Sequence, residues 1–134
     1  DDKKRERTRN KGEEMSDEIM NAKIRNTFLG VEDHGIFTFS LSLDYSNGLS
    51  QGAGNFSLDG YDEKKKRRYS GAFSIPLISR ILELCDVKQW EDLKGKMIRV
   101  KTTPIKVLAI GNIIDDDWLI FEDFINKYEK DGKK

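Results

Sequence analysis

Five consecutive cations, Lys64, Lys65, Lys66, Arg67 and Arg68, are the longest run of one charge sign in the chain, and Tyr61 and Tyr69 flank them. Cationic side chains pair with phosphate oxygens, and tyrosine rings stack on bases. The stretch has the parts of a nucleotide contact, although a basic loop is equally at home in plain solvent. Gln51-Gly-Ala-Gly-Asn55 is the second such stretch. Its Gly-x-Gly precedes a strand pattern, not the helix N-terminus on which the dinucleotide fingerprint places its phosphates. Glycines inside a strand mean a bulge, or a close approach by another backbone or a ligand. The second meaning makes Gln51 and Asn55 candidate amide partners for a base or ribose.

Catalytic chemistry finds less to work with. His34 is the sole histidine, so a Ser/His/Asp triad would have to use it, and the sequence has no Gly-x-Ser-x-Gly elbow. His34 reads as a turn residue whose ring packs or hydrogen-bonds locally, with a ligand contact from a hairpin loop as the alternative. Cys85 is the only cysteine, which precludes an intrachain disulfide and suits a reducing cytosol. It closes Ile81-Leu-Glu-Leu-Cys85, an apolar pattern at helical spacing with nothing beside it to lower a thiol pKa. A buried structural thiol is expected, neither nucleophile nor zinc ligand. Asp115-Asp-Asp117 lacks the alternating spacing of a calcium loop and reads as an acidic turn, as does Glu32-Asp33. No enzyme activity, metal or cofactor is expected.

Composition narrows the partners. The chain has 24 basic and 24 acidic residues, so its formal charge is zero. No bulk field draws it to nucleic acid or to an anionic membrane, and any anion site must be a local cluster. The 134 residues suffice for one domain with a modest core. No apolar run has the length of a membrane span, and no secretory signal is visible.

These residues must be positioned by an α+β domain. Phe37, Phe39, Leu41 and Leu43 alternate with Thr38, Ser40 and Ser42, which is the period of a strand with one apolar face. Asn47-Gly48 then supplies the positive φ that a tight hairpin turn needs. Residues 36–58 therefore form a central hairpin, preceded by a first strand over residues 23–29. Residues 59–71 read as a polar loop. Residues 74–85 read as the main helix, N-capped by Ser74, with Pro76 in its first turn. Its apolar face takes Ile75, Ile78, Ile81, Leu82 and Cys85, flanked by Leu77 and Leu84. Trp90 and Leu93 plug a short helical turn. Strands follow over residues 96–101, 105–114 and 118–121, and an amphipathic helix over 122–129. The result is a largely antiparallel sheet built on the central hairpin, covered by one main helix and a C-terminal helix. Residues 1–20 are expected to be a charged, flexible extension, residues 21–130 the domain, and residues 131–134 a frayed tail. An ion-paired helix is the alternative for the first fourteen residues, and a helical turn or plain lead-in for residues 15–20.

Several stretches together resemble a family of small accessory proteins encoded by tailed phages and prophages. They are Lys23-Ile-Arg-Asn-Thr-Phe-Leu-Gly30, Glu32-Asp-His-Gly-Ile36, Gln51-Gly-Ala-Gly54 with Leu58-Asp59, Trp90-Glu-Asp-Leu-Lys-Gly95 with Ile98-Arg-Val100, and Ile110-Gly-Asn-Ile113 before Trp118. The resemblance covers residues 22–121, and none of its motifs is a catalytic signature. It implies the cytoplasm of a bacterial host and a role against bacterial immunity. The anti-Thoeris sponges are one such class: small oligomeric α+β proteins that enclose a cyclic ADP-ribose or cyclic-oligonucleotide signal without cleaving it.

The expectation that follows is a homo-oligomeric, non-enzymatic protein that sequesters a cyclic nucleotide. The candidate contacts are His34, Gln51, Asn55, Tyr61, Arg67, Arg68 and Arg80. Two alternatives stand beside it. One is an anti-CRISPR-like protein that blocks a host defence complex through its acidic 115–123 region or an exposed sheet edge. The other is a weak nucleic-acid binder using the basic loop and the N-terminal segment.

Overall fold

The computed structural model describes residues 17–132. The charged flexible extension, or ion-paired helix, expected at residues 1–16 and the end of the frayed tail at residues 133–134 lie outside the described residues.

The first strand sets the architecture. β1 runs over Glu18–Val31, 14 residues, and begins earlier and ends later than the expected 23–29. Glu18, Ile19 and Met20 therefore belong to the sheet, not to an extension. Ala22 and Ile24 point into the core. At Arg25 the register slips by one residue, so the alternation restarts and Thr27 and Leu29 face inward beyond the bulge. A strand of this length serves two neighbours. β2 (Phe37–Tyr45) pairs with residues 22–31, and β6 (Met97–Thr102) pairs with residues 18–23.

The Asn47-Gly48 turn closes the central hairpin onto β3 (Ser50–Ser57), with Gly48 at φ +90°. Phe39, Leu41, Leu43 and Tyr45 are buried as the alternation requires, and Phe37 is half-buried. Residues 59–71 are not a loop. They form a second hairpin, β4 (Asp59–Asp62) with β5 (Arg67–Ser70), which makes a separate two-stranded sheet. Consecutive lysines mark its turn and hid its strands from a reading based on apolar periodicity.

The main helix, α1, spans Ser74–Leu84, and its N-cap position is Phe73, not Ser74. The Ser74 hydroxyl donates to the Leu58 carbonyl instead, tying the helix start to the end of the central hairpin. The buried face is also rotated from the expected one. Leu77, Ile81 and Leu84 are fully buried, whereas Ile75 is 68% exposed. A 3-10 turn over Trp90–Leu93 follows, with Leu93 buried. β7 is Val107–Gly111 and β8 is Trp118–Ile120, both shorter than expected. α2 covers Phe121–Gly132 and takes in residues that had been expected to fray.

The six-stranded sheet has the order β3-β2-β1-β6-β7-β8, and every hydrogen-bonded pair in it is antiparallel. Counting directions from β1, strands β3 and β7 therefore run parallel, and they approach each other without pairing. The sheet curls almost into a barrel. β8 takes the edge of β7 at residues 109–111, which keeps the seam open there. With a helix between the third and fourth barrel strands, this is the connectivity of the partly open Greek-key barrel called the OB-fold; the likeness is one of topology. Phe39 lies at the centre of the core, edge-on to Phe56 at 5.2 Å and to Trp90 at 6.2 Å.

Candidate functional site

The seven residues expected to bind ligand do not converge. His34 stands at the β1–β2 turn with 86% of its side chain exposed, its backbone N–H donating to Glu32 Oε1 at 2.6 Å. Arg80 on α1 is held by Asp117, with Nη2 2.5 Å from Oδ1, and by Glu83 at 3.0 Å. Its guanidinium pKa is raised, chiefly by the hydrogen bond to Asp117. Arg68 makes a bidentate pair with Asp59, at 2.8 Å for both bonds. Arg68 holds the Asp59 carboxyl down at about 2. These two arginines already carry carboxylate partners within the fold.

Gln51 is likewise committed. Its Oε1 accepts from Tyr45 Oη at 2.5 Å and from Thr102 Oγ1 at 2.7 Å, and its Nε2 donates to the Thr103 carbonyl at 3.0 Å. Burial raises the Tyr45 phenol pKa, with the Thr102 hydroxyl working against the shift. This network forms the wall of a 470 Å³ cleft whose rim includes Glu18, Met20, Asn47, Leu49 and Pro104.

The β4–β5 hairpin presents its cations, but the register separates its tyrosines. Tyr61 faces Arg68 across the ladder and Tyr69 faces Gly60, so the two rings occupy alternate faces. They do not bracket one base. Tyr69 lies across Gly60, where a Cβ would come within 2.6 Å of the phenol. Arg67 and Tyr61 are exposed.

Asn55 takes part in a different arrangement, the outer face of β1, β2 and β3. Cross-strand register lays this face out in rows. Phe28 lies beside Ser40, which lies beside Gly54; Asn26 lies beside Ser42, which lies beside Gly52; and Lys23 lies beside Asp44, which lies beside Ser50. Phe28 is 42% exposed, and its ring lies along the strand over Gly30. Gly54 and Asn55 both take positive φ, +90° and +66°, at the bulge of β3. That bend brings Asn55 Nδ2 over Gly52, 3.3 Å from where a Cβ would stand. The face is thus a low floor of glycine and serine with one aromatic ring and two amides standing on it. Lys23 and Arg25 border it, Arg25 leaning on Asp44 at 3.2 Å.

This surface offers stacking, amide hydrogen bonds and positive charge to a flat, anionic ligand. Neither Phe28 nor Asn26 was singled out from the sequence. Among the described residues no group of three or more His, Cys, Asp and Glu side chains is placed to hold a metal ion. No described helix is long and apolar enough to cross a membrane. Comparison with protein-family profiles, with curated proteins and with solved structures finds no match for this chain.

Proposed function

We propose that this domain binds nucleotides as a single strand laid on the outer face of β1, β2 and β3, and that it does so without chemistry of its own. The observation that carries this reading is Phe28, exposed on a sheet whose neighbouring outward positions are Ser40, Ser42 and Gly52. An aromatic ring standing on an outward sheet face offers a flat stacking surface to a partner. Bases stack on such a ring whatever their sequence, and a low floor of serine and glycine lets the backbone of a strand come close. The barrel connectivity agrees by analogy, since OB-folds bind oligonucleotides on their second and third strands. Lys23 on β1 supplies local positive charge beside this face, on a chain of zero net charge.

Anisotropy of a labelled oligothymidylate, titrated at near-physiological salt, tests it. Saturable binding, weakened about tenfold or more in Phe28→Ala, is the expected result. No binding, or equal binding by wild type and variant, overturns the reading.

Sequestration of a cyclic nucleotide signal by a phage anti-defence protein is the second reading. The cleft lined by Tyr45, Gln51 and Thr102 favours it, with 470 Å³ of space and a polar wall. Against it, the described residues around that cleft include Glu18 and no lysine or arginine, so among them a phosphate meets no counter-charge. Cyclic ADP-ribose and cyclic dinucleotides added as competitors in the same titration separate the two. Displacement of the strand would show that one face takes both. A thermal shift without displacement would assign the cleft to the small molecule.

A further inference from the structure

The outer face of the sheet does not end at β1. On its other side the rows continue: Asn21 lies beside Arg99, then Gly111, then Trp118; Ile19 lies beside Lys101, then Ala109, then Ile120. Trp118 lies flat on β7 because Gly111 has no side chain; a Cβ there would stand 2.7 Å from the indole. Arg99 holds its guanidinium 5.0 Å from the ring centroid, fixed by hydrogen bonds to the Asn112 carbonyl at 2.8 Å and the Asp115 carbonyl at 2.7 Å. Lys101 places Nζ 5.7 Å from the same ring, and it has no carboxylate partner among the described residues. Around them Ile19, Met97 and Ile120 are 59%, 45% and 40% exposed. This is a second aromatic group on the outer face, with one cation held rigidly over its ring and a second, on a longer flexible stem, beside the first.

We infer that the platform formed by Trp118, Arg99 and Lys101 is a second base-stacking subsite on the path of the same single strand. The inference rests on the function proposed above. Lys23 and Arg25 lie on β1 between the two aromatic residues, where a phosphate backbone would cross. From Phe28 to Trp118 the surface path covers seven residues of β1 and three strand spacings, about 26 Å along the sheet. The site sizes of OB-folds, about 4–16 nucleotides, make a strand of that reach an ordinary ligand. A hole-filling tryptophan needs Gly111 and Arg99; Lys101, whose recorded contact among the described residues is with the ring itself, is what separates the two roles in experiment.

The experiment compares oligothymidylates of about 4 and about 16 nucleotides, the ends of that range. Trp90→Phe leaves Trp118 as the single tryptophan for fluorescence, since the chain has two. The long strand is expected to bind about tenfold or more tighter than the short one and to quench Trp118. Lys101→Glu should abolish that advantage while leaving short-strand binding unchanged. Trp118→Phe, which keeps a ring over Gly111, should retain part of the advantage and confirm that the fold survives. Equal affinity for the two lengths, or an advantage that Lys101→Glu leaves intact, overturns the second subsite while the Phe28 face stands. Failure of both lengths to bind removes the underlying function and the subsite together.

Discussion

Asp59 and Arg68 join the two sheets of the molecule. The Arg68 fork donates to both Asp59 oxygens, and Asp59 Oδ2 also accepts from the backbone N–H of Phe37 at 3.3 Å. One carboxylate thus fixes the β4–β5 hairpin to the first residue of β2. The pairing also sets a pH dependence. Arg68 lowers the Asp59 pKa from 3.8 to about 2. A lowered carboxylate pKa gives stability that is complete above the unfolded value and is lost as pH falls through the folded one. Asp59→Asn should therefore have a lower Tm than wild type at pH 5–7, and the gap should close between about pH 4 and pH 2. Thermal melts of both proteins across that range check it. A gap that persists at pH 2 would mean that the ion pair is not its source.

Two glycines of one strand should respond in opposite ways. A Cβ at Gly54 would lie 2.7 Å from Phe39 Cε2 and 2.9 Å from the Phe39 carbonyl, on a backbone at φ +90°. Gly54→Ala combines overpacking of the central core ring with left-handed strain, and should cost about 2 kcal/mol or more in denaturant unfolding. At Gly52 the nearest atom is the movable Asn55 amide at 3.3 Å. Gly52→Ala should change stability by about 0.5 kcal/mol or less, yet raise the floor of the binding face and weaken the strand. A Gly52→Ala protein with full affinity would place the ligand away from β3.

What the residues disclosed and what they hid follow from the same rule of alternation. The central hairpin was legible because Phe39, Leu41 and Leu43 keep period two without interruption and Asn47-Gly48 admits one kind of turn. Phe28 was not legible. Counted from Ile24 it has inward parity, and it faces out because β1 bulges at Arg25, a slip with no glycine or proline to mark it. The role of Gly111 was hidden for a related reason, because its partner Trp118 comes from a different strand. Gln51, Arg68 and Arg80 are engaged within the fold, because a polar residue with the right chemistry for a ligand also has the right chemistry for a neighbour. Sequence gives the donors and acceptors but not which of them the fold uses up.

Cys85 should be nearly inert in the native protein. It is 4% exposed behind α1, and burial pushes its thiol up to about 11, with Lys96 acting against the shift. Thiolate is the reacting form, so the fraction available at pH 8 is about two orders of magnitude below that of an ordinary cysteine. Iodoacetamide should modify the folded protein at least that much more slowly than the protein in guanidinium chloride. Equal rates would mean that the end of α1 opens readily.

Gln51 provides the sharpest separation between a structural and a ligand-binding role. Its amide joins Tyr45 on β2 to Thr102 and Thr103 at the end of β6, across the mouth of the barrel. Gln51→Ala removes the acceptor for two hydroxyls, one on a buried phenol, so unfolding in urea should show a loss of about 1–3 kcal/mol. Gln51→Glu keeps the acceptor but loses the donor to Thr103, and brings a carboxylate into the cleft beside Glu18. It should fall between wild type and alanine in stability at pH 7. Neither variant should alter strand binding, because Gln51 faces the core side of β3 while the glycine floor faces out. If Gln51→Ala keeps its stability and instead loses the thermal shift given by a cyclic nucleotide, the cleft is a ligand site and the amide belongs to it.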